Sequence, residues 1–563
     1  MADHCSKPVG NHVGIVGTGA LGLLAMKNLK EQGLQVTAFE QNSYLGGLWH
    51  FSPKPDQVTA LPMTSFNTSK QMAHITDFPF ADDDATHPTA KSIERYLEAY
   101  ATEFDLLPHI KFYTKVNQVE RDDANGQWIV HTHTTYPHEE SVMQKHVFDR
   151  VVLATGIVNT PNIPDIKGIE KFEGEAIHSL KFKDPYRYSG KNVLLVGVGA
   201  TSADTQSFLK KANARSITIS HRKQFYLVPK MVKGNAFDHG MTRRALTIFR
   251  SLGEWWPRGC AMLFTKALDS ARQKAYPWLS KHPSFLAPRV LESAEHRIPV
   301  LSNDLAENLR DGITRTVPGV SEVSGPKSVT FTDGSVLDDI DAIIICTGYE
   351  YDFSLIKGNG DPTNPAKSPD HFERINATRY KDPHVQFARL YRGFLSEEYP
   401  ESLAFIGHFF IFKAPFVFND LVTMALASLW SGTVPIPSDE VMAQDINRHY
   451  DTVVDTLGRG PLPHLGFRMF GSDTYAWLNK VAGTGVTDRL GCFSKEAWKL
   501  WWKDRKFYNL LMDGADSPAV YRLFETERGR KAWPGARDQI LKTNQEVKEM
   551  GKQWRKQSSA KSK

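Results

Sequence analysis

Three glycines at fixed spacing, Gly17, Gly19 and Gly22, follow the apolar run His12-Val13-Gly14-Ile15-Val16 in the stretch Gly17-Thr18-Gly19-Ala20-Leu21-Gly22. A strand that turns at once into a helix needs a residue tolerant of positive φ at the turn. It needs a second without a Cβ where an anion meets the backbone, and a third without one where helix and strand touch. The unpaired N–H groups at the helix start then face a pyrophosphate. Gln35-Val36-Thr37-Ala38-Phe39-Glu40 reads as the next strand, and Glu40 closes it where a carboxylate holds ribose hydroxyls. A second unit begins at Asn192-Val193-Leu194-Leu195-Val196 and continues as Gly197-Val198-Gly199-Ala200-Thr201-Ser202-Ala203-Asp204. Here Ser202 replaces the third glycine and loosens helix packing. The following strand, Ser216-Ile217-Thr218-Ile219-Ser220, ends in His221-Arg222-Lys223 rather than in an acid. A carboxylate there would repel a 2′-phosphate, whereas the Arg222 guanidinium binds one through charge-assisted hydrogen bonds. Two dinucleotides, FAD in the first unit and NADPH (NADP+) in the second, describe a flavoprotein that passes electrons from one to the other.

These residues need a frame of alternating strands and helices, so the sequence predicts an α/β fold with two Rossmann-like dinucleotide-binding domains. Val151-Val152-Leu153-Ala154-Thr155-Gly156 reads as a buried strand ending in a tight turn, and Ile340–Ile345 followed by Cys346-Thr347-Gly348-Tyr349 repeats it. Such junctions suit points where the chain crosses between domains. The FAD domain is therefore expected in two parts, residues 1–185 and 336–465, around an NADP domain at residues 186–335. A helix is expected over Ser92 to Phe104, strands around Phe112 and Trp128, a last strand at Ser402–Ile406, and a helix over Phe418–Trp430. A helical insert of residues 224–297 contains the Leu-, Phe-, Trp- and Met-rich stretch Leu246–Leu268, which reads as a cap or buried pair rather than a membrane-surface helix. Residues 466–563 read as a helical region with a disordered basic tail from Lys552 to Lys563.

Composition narrows the class. The chain has 563 residues, too many for one core, and its 68 Lys and Arg against 63 Asp and Glu leave a net charge of only +5. That balance argues against nucleic acid as a partner. Cys5, Cys260, Cys346 and Cys492 are scattered with no CxxC, which argues against a disulfide scaffold, a metal site and a redox dithiol. No secretory signal or bilayer-length apolar run is visible, and the mean hydropathy is −0.38. The expected setting is cytoplasmic, with peripheral membrane contact and a homodimer both left open.

Four further motifs carry a family resemblance: Gly46-Gly47-Leu48-Trp49, Phe66-Asn67-Thr68-Ser69-Lys70, Asp77-Phe78-Pro79-Phe80, and Phe172-x-Gly174-x-x-x-His178-x-x-x-Phe182. Together with the two glycine turns, this pattern resembles the flavin-containing monooxygenases, of the N,N-dimethylaniline-oxidising type. Baeyer–Villiger members of the superfamily carry Trp at the last position of the fourth motif, whereas this chain has Phe182, as in the heteroatom-oxidising branch. The resemblance implies that NADPH reduces FAD, that O2 adds to the reduced ring as a C4a-hydroperoxide, and that retained NADP+ protects it. An amine nitrogen or a sulfur then takes one oxygen atom. It places Gly17, Thr18, Gly19, Ala20, Leu21, Gly22, Glu40, Leu48, Trp49 and Phe66 around FAD, and Asn67 at the catalytic centre beside flavin and nicotinamide. It places Gly197, Gly199, Thr201, Ser202, Ala203, Asp204 and Arg222 around NADPH. Phe172, Gly174, His178 and Phe182 take a structural role between the domains. The animal members end in a hydrophobic anchor, which the polar end of this chain does not match.

Rival readings are a Baeyer–Villiger oxidation of a ketone and a nucleotide-bound sensor without turnover. A disulfide reductase lacks its CxxC here, and the Gly46–Trp49 and Phe66–Lys70 motifs look less like those of the siderophore-type N-hydroxylases.

Overall fold

The computed structural model describes residues 10–561 apart from 223–224, 283–295, 297–298, 382–385, 411–413, 463–465, 469–472, 492–493 and 527–529. Lys223, Cys5, Cys492, Lys563 and the end of the expected insert at Arg297 lie outside the described residues.

Two sheets carry the two glycine turns, the first parallel except for an antiparallel edge at Leu390–Tyr391 and Leu395–Ser396. The first has seven strands in the order Leu390–Tyr391, Leu395–Ser396, Leu403–Phe405, Arg150–Leu153, His12–Val16, Gln35–Phe39 and Ile110–Lys111. Its central strands are mostly apolar because both faces are covered: helices bury Val13, Ile15 and Val152 on one, and the antiparallel meander with Val119, Trp128 and Val130 buries Val16, Val151 and Leu153 on the other. Val13, Ile15, Val151 and Val152 are all fully buried. The helix Ala20–Glu31 packs against Pro415–Trp430, with Leu23, Leu24 and Met26 meeting a helix almost every residue of which is buried. Each such leucine contributes about 1.5–3 kcal/mol by leaving water.

The second sheet runs Thr314–Val317, Ser216–Ser220, Asn192–Val196, Ala342–Ile345 and Glu175–His178, all parallel. This moves both expected seams. Glu175–His178, assigned to the first part of the FAD domain at residues 1–185, and Ala342–Ile345, assigned to the second at 336–465, both pair in the second sheet. Each of these strands lies within about ten residues of its seam, and nothing in its local sequence says which sheet it joins. After Arg150–Leu153 the chain leaves the first sheet through Thr160–Pro161, and after Ala342–Ile345 it returns through Tyr349–Glu350. These two segments pair with each other, antiparallel.

The expected helix near Ser92 spans Ala90–Glu103, capped by Thr89 Oγ1, which accepts from Ser92 N at 3.2 Å. The strands expected near Phe112 and Trp128 lie in and beside the antiparallel meander Thr114–Asp122, Gln127–Thr134 and Val142–Phe148, with Ile110–Lys111 joining the first sheet. The insert is not helical throughout. It opens with short strands, Leu227–Val228 and the hairpin Met231–Val232 with Asn235–Ala236, before the helices Arg243–Trp255 and Pro257–Ala275. One face of that helical pair buries Cys260, Ala261 and Leu268, and the other leaves Ile248, Trp255 and Met262 exposed.

The C-terminal residues share the core of the first sheet, and the tail expected to be disordered is helical as far as Lys561. Ala536–Lys561 is one helix. Ile540 and Ala536 join Phe507, Leu511 and Tyr521 in the core shared with the first sheet, and Trp554 lies against Gly234 of the insert hairpin. Arg522 is buried between the C-terminal region and the first domain. Its guanidinium donates to Glu31 Oε1 at 2.6 Å and to Asn28 Oδ1 at 2.9 Å, and lies 3.3 Å from Asp77. No helix among the described residues is long and apolar enough to cross a membrane.

Candidate functional site

The two glycine turns have the geometry that their spacing requires. Gly17 has φ +95°, and a Cβ there would stand 2.7 Å from the Ala154 carbonyl oxygen. Gly22 allows helix and strand to touch, since its Cβ would lie 2.0 Å from Gly17 O. Around Gly19 there is space: the nearest atom to an added Cβ is Gly47 Cα at 3.7 Å. Gly46 N donates to Thr18 O at 3.0 Å, so the Gly46-Gly47 turn faces the first glycine turn. In the second unit Gly197 has φ +106° and abuts the Cys346 carbonyl, while an added Cβ at Gly199 meets nothing within 4 Å.

Both helices that follow start without a side-chain cap and without an acid in the first turn. Other helices of this chain are capped, by Thr89, Thr242, Ser302 and Ser494. Uncapped N–H groups beside an open glycine are what a phosphate needs, so the residues present fit the pyrophosphates of two dinucleotides.

Glu40 is buried at the end of its strand. Its Oε2 accepts from Thr18 N at 3.2 Å and Thr18 Oγ1 at 2.9 Å; its Oε1 accepts from Asn42 N at 3.0 Å and Asn42 Nδ2 at 2.9 Å. The carboxylate thus stitches the second strand to the first turn. Arg222 stands exposed at the matching position of the second unit, just beyond Ser216–Ser220, and makes no ion pair with any described residue. Thr201 is exposed on the first turn of Ala200–Lys211. Asp204 is half-buried one turn on, where burial pushes its carboxyl up to about 6. Ser202 and Ala203 point the other way. Ser202 is fully buried, its hydroxyl without a partner among the described residues, and Ala203 belongs to the domain core. Only their backbones can reach a ligand, because consecutive residues of a helix cannot share a face.

Leu48 and Trp49 lie half-buried in the short turn Gly47–Trp49. The Trp49 ring meets Phe66 edge-on at 5.4 Å, and Phe66 tilts over Phe416 at 5.3 Å. Asn67 follows Phe66 directly. It is exposed, and its amide makes no hydrogen bond with any described residue. The backbone beside it is fixed: Phe66 N donates to Pro88 O and Lys70 N to Thr86 O, both at 2.8 Å.

The fourth motif explains itself in three contacts. A Cβ at Gly174 would strike Asp341 O and the Phe172 ring, each at 2.6 Å, so the glycine lets the strand lie against its neighbour. Phe182 is buried in the second core, 5.4 Å from the Tyr188 ring. His178 Nδ1 accepts from Leu180 N, and its Nε2 donates to Gly348 O, both at 3.1 Å. Burial lowers its pKa. The same Gly348 carbonyl accepts from Asn162 N at 3.0 Å, and Thr347 Oγ1 donates to Asn162 O. His178 therefore ties the second sheet to both crossing segments and stays neutral.

Sequence reasoning missed Lys230 and Asp238, which reach the Asn67 loop from the insert. No local signal marks them, since their partners lie more than 160 residues away.

A family model for flavin-binding monooxygenase-like proteins matches residues 10–368. The monooxygenase aurF of Gibberella zeae is 35% identical over 541 residues, covering 94% of this chain and 97% of its own. Flavin-containing monooxygenase 3 of Homo sapiens is 27% identical, covering 95% of this chain and 92% of its own. Among solved structures, S-allyl-L-cysteine S-oxygenase from Allium sativum superposes with a TM-score of 0.58 at 18% identity, covering 95% of this chain and 98% of its own. Polycyclic ketone monooxygenase from Thermothelomyces thermophila superposes with a TM-score of 0.58 at 15% identity, covering 85% and 89%.

Proposed function

The chain belongs to the flavin-binding monooxygenase-like family, with FAD and NADPH as cofactors, and from that premise we propose that it transfers one oxygen atom of dioxygen to nitrogen or sulfur in a small amine or sulfide. The observation that carries this reading is the exposed, unpartnered amide of Asn67. It sits on a loop of the first unit that is hydrogen-bonded to the insert of the second.

Bound FAD supplies the redox chemistry, taking electrons from NADPH and activating dioxygen. The chain's own residues bind, orient and exclude water. Gly19, facing Gly47, and the uncapped start of Ala20–Glu31 hold the FAD pyrophosphate, with Leu48, Trp49 and Phe66 shielding the flavin side. Gly199, Thr201 and Arg222 hold NADPH, the guanidinium taking the 2′-phosphate. An amide at Asn67 can donate and accept hydrogen bonds without offering an acidic proton that would discharge the activated oxygen as peroxide. His178, neutral and engaged on both nitrogens, is no proton donor.

Phe182 in place of Trp favours a heteroatom over a ketone, as does the name of one relative 27% identical to this chain, the N-oxide-forming dimethylaniline monooxygenase 2 of Rattus norvegicus. The test supplies the yellow protein with NADPH, isotopically labelled dioxygen, and panels of amines, sulfides and ketones. Label on nitrogen or sulfur with matching NADPH consumption supports the proposal. An ester or lactone formed from ketones alone would replace it with a Baeyer–Villiger reaction. No NADPH consumption with any panel would leave a sensor.

A further inference from the structure

The chain beyond Arg222 turns back onto the first unit. Lys230 is half-buried, and its ammonium donates to Ser65 Oγ at 2.7 Å and Ser65 O at 3.2 Å. Eight residues on, Asp238 Oδ2 accepts from Ser69 N at 2.8 Å. His239 Nε2 lies 3.3 Å from Gln71 Oε1. Ser65 and Ser69 stand two residues before and two after Asn67, so both sides of its loop are gripped by one segment of the other unit.

That segment is itself anchored. Asn303 Oδ1 accepts from Lys230 N at 2.8 Å and Met231 N at 3.1 Å. Asn303 opens the helix Asn303–Arg310, which is bonded to Ala200–Lys211 through Asn308 Nδ2 to Gln206 Oε1 at 2.7 Å and Ser207 Oγ to Asp304 Oδ2 at 2.6 Å. From behind, Trp554 packs on Gly234. A lysine taken out of water is costly unless its charge is answered. Here Asp204 and Asp304 face it while the hydrogen bonds go to Ser65.

We propose that Lys230–His239 is a brace that sets the position of Asn67 from the NADPH-binding unit, with Lys230 as its main positioning residue. The proposal rests on the reading of Asn67 as the active-site amide.

The test measures amide hydrogen exchange of the peptide covering residues 64–71 in the FAD-loaded protein, together with peroxide released per NADPH. Lys230→Met should speed exchange there about tenfold, the factor that follows from losing a hydrogen bond to a charged group. Peroxide release should rise more than the NADPH KM, because Lys230 bonds the Asn67 loop directly and meets the nucleotide side only through Asp204. Lys230→Arg should restore both. Asp238→Ala, which keeps the ammonium, should loosen Ser69 alone and guards against a Lys230→Met protein that does not fold. Unchanged exchange in both Lys230→Met and Asp238→Ala, or raised exchange with unchanged peroxide release, overturns the brace. A wild-type protein that consumes no NADPH overturns the functional reading instead, and the exchange arm still reports on the contact.

Discussion

His178 donates a hydrogen bond through Nε2 to the carbonyl of Gly348, 170 residues further along the chain. The bond closes a knot in which one carbonyl serves both the second sheet and the outgoing crossing segment, since Asn162 N donates to it as well. The motif to which the resemblance gives a structural role between the domains is, in its contacts, a fastening.

His178→Phe keeps an aromatic ring in the knot and removes both hydrogen bonds. Stability should fall by about 1–3 kcal/mol, the cost of leaving buried partners unsatisfied. The pH profile of turnover should keep its shape. Loss of one limb of that profile would show that His178 moves a proton.

Gly197 and Gly199 separate folding from binding. Gly197→Ala forces a Cβ to 2.7 Å from the Cys346 carbonyl at φ +106°, and should lower stability by about 1–3 kcal/mol. Gly199→Ala meets open space and should leave the melting temperature unchanged while weakening NADPH binding. Equal NADPH affinity in Gly199→Ala and wild type would remove the pyrophosphate from that turn.

Arg222→Ala should raise the NADPH KM by about 10–100-fold, the worth of a charge-assisted contact to phosphate, and leave the NADH KM nearly unchanged. Parallel rises for both nucleotides would assign the 2′-phosphate elsewhere.

Asn67→Asp is isosteric at an exposed position and should retain FAD. Peroxide released per NADPH should increase, with product formation falling about 10–1000-fold, in the range seen when a polarising active-site group is lost. Coupling equal to wild type would dismiss Asn67 from the reaction.

Acid should unfold this protein in two stages. Burial holds His74, His87, His239 and His408 down to about 4, from an ordinary value of 6.5. Each is neutral when folded, so the unfolded chain binds the extra proton, and the stability present above pH 6.5 is lost as pH falls towards 4. Glu31 follows: burial opposes its ionisation, but Arg522 and Lys27 outweigh it and hold the carboxyl at about 2. Its contribution is present above 4.5 and lost on the way to 2. Arg522→Met should cost about 3–5 kcal/mol near neutrality by stranding buried carboxylates. A urea midpoint that is flat from pH 6.5 to 4 would refute the histidine stage, and a small loss in Arg522→Met would refute the second.

The glycine turns were legible because their requirements are backbone requirements, visible as missing side chains at fixed offsets. Glu40 and Arg222 followed from them as strand ends. The structural role of His178 comes from the resemblance, but its partner was not legible, because Gly348 is brought near only by the sheet order. Lys230 and Asp238 escaped for the same reason and carry no pattern of their own. The seams were misplaced because Glu175–His178 and Ala342–Ile345 are each locally indistinguishable from strands of the first sheet. The tail reads as disordered from its polar composition, but as far as Lys561 it continues the helix Ala536–Lys561, which is held upstream by buried Ile540 and further on by the half-exposed Trp554 against Gly234.

The ladder between Thr160–Pro161 and Tyr349–Glu350 makes the second unit a cassette. Its entrance and exit leave the first sheet as neighbours, so the unit hangs from a single stalk instead of being threaded through its host. A foreign domain whose ends lie a strand's spacing apart could be grafted onto the same stalk without rerouting the chain. What such a graft would lose is the grip on Ser65 and Ser69, and with it the register between donor and host.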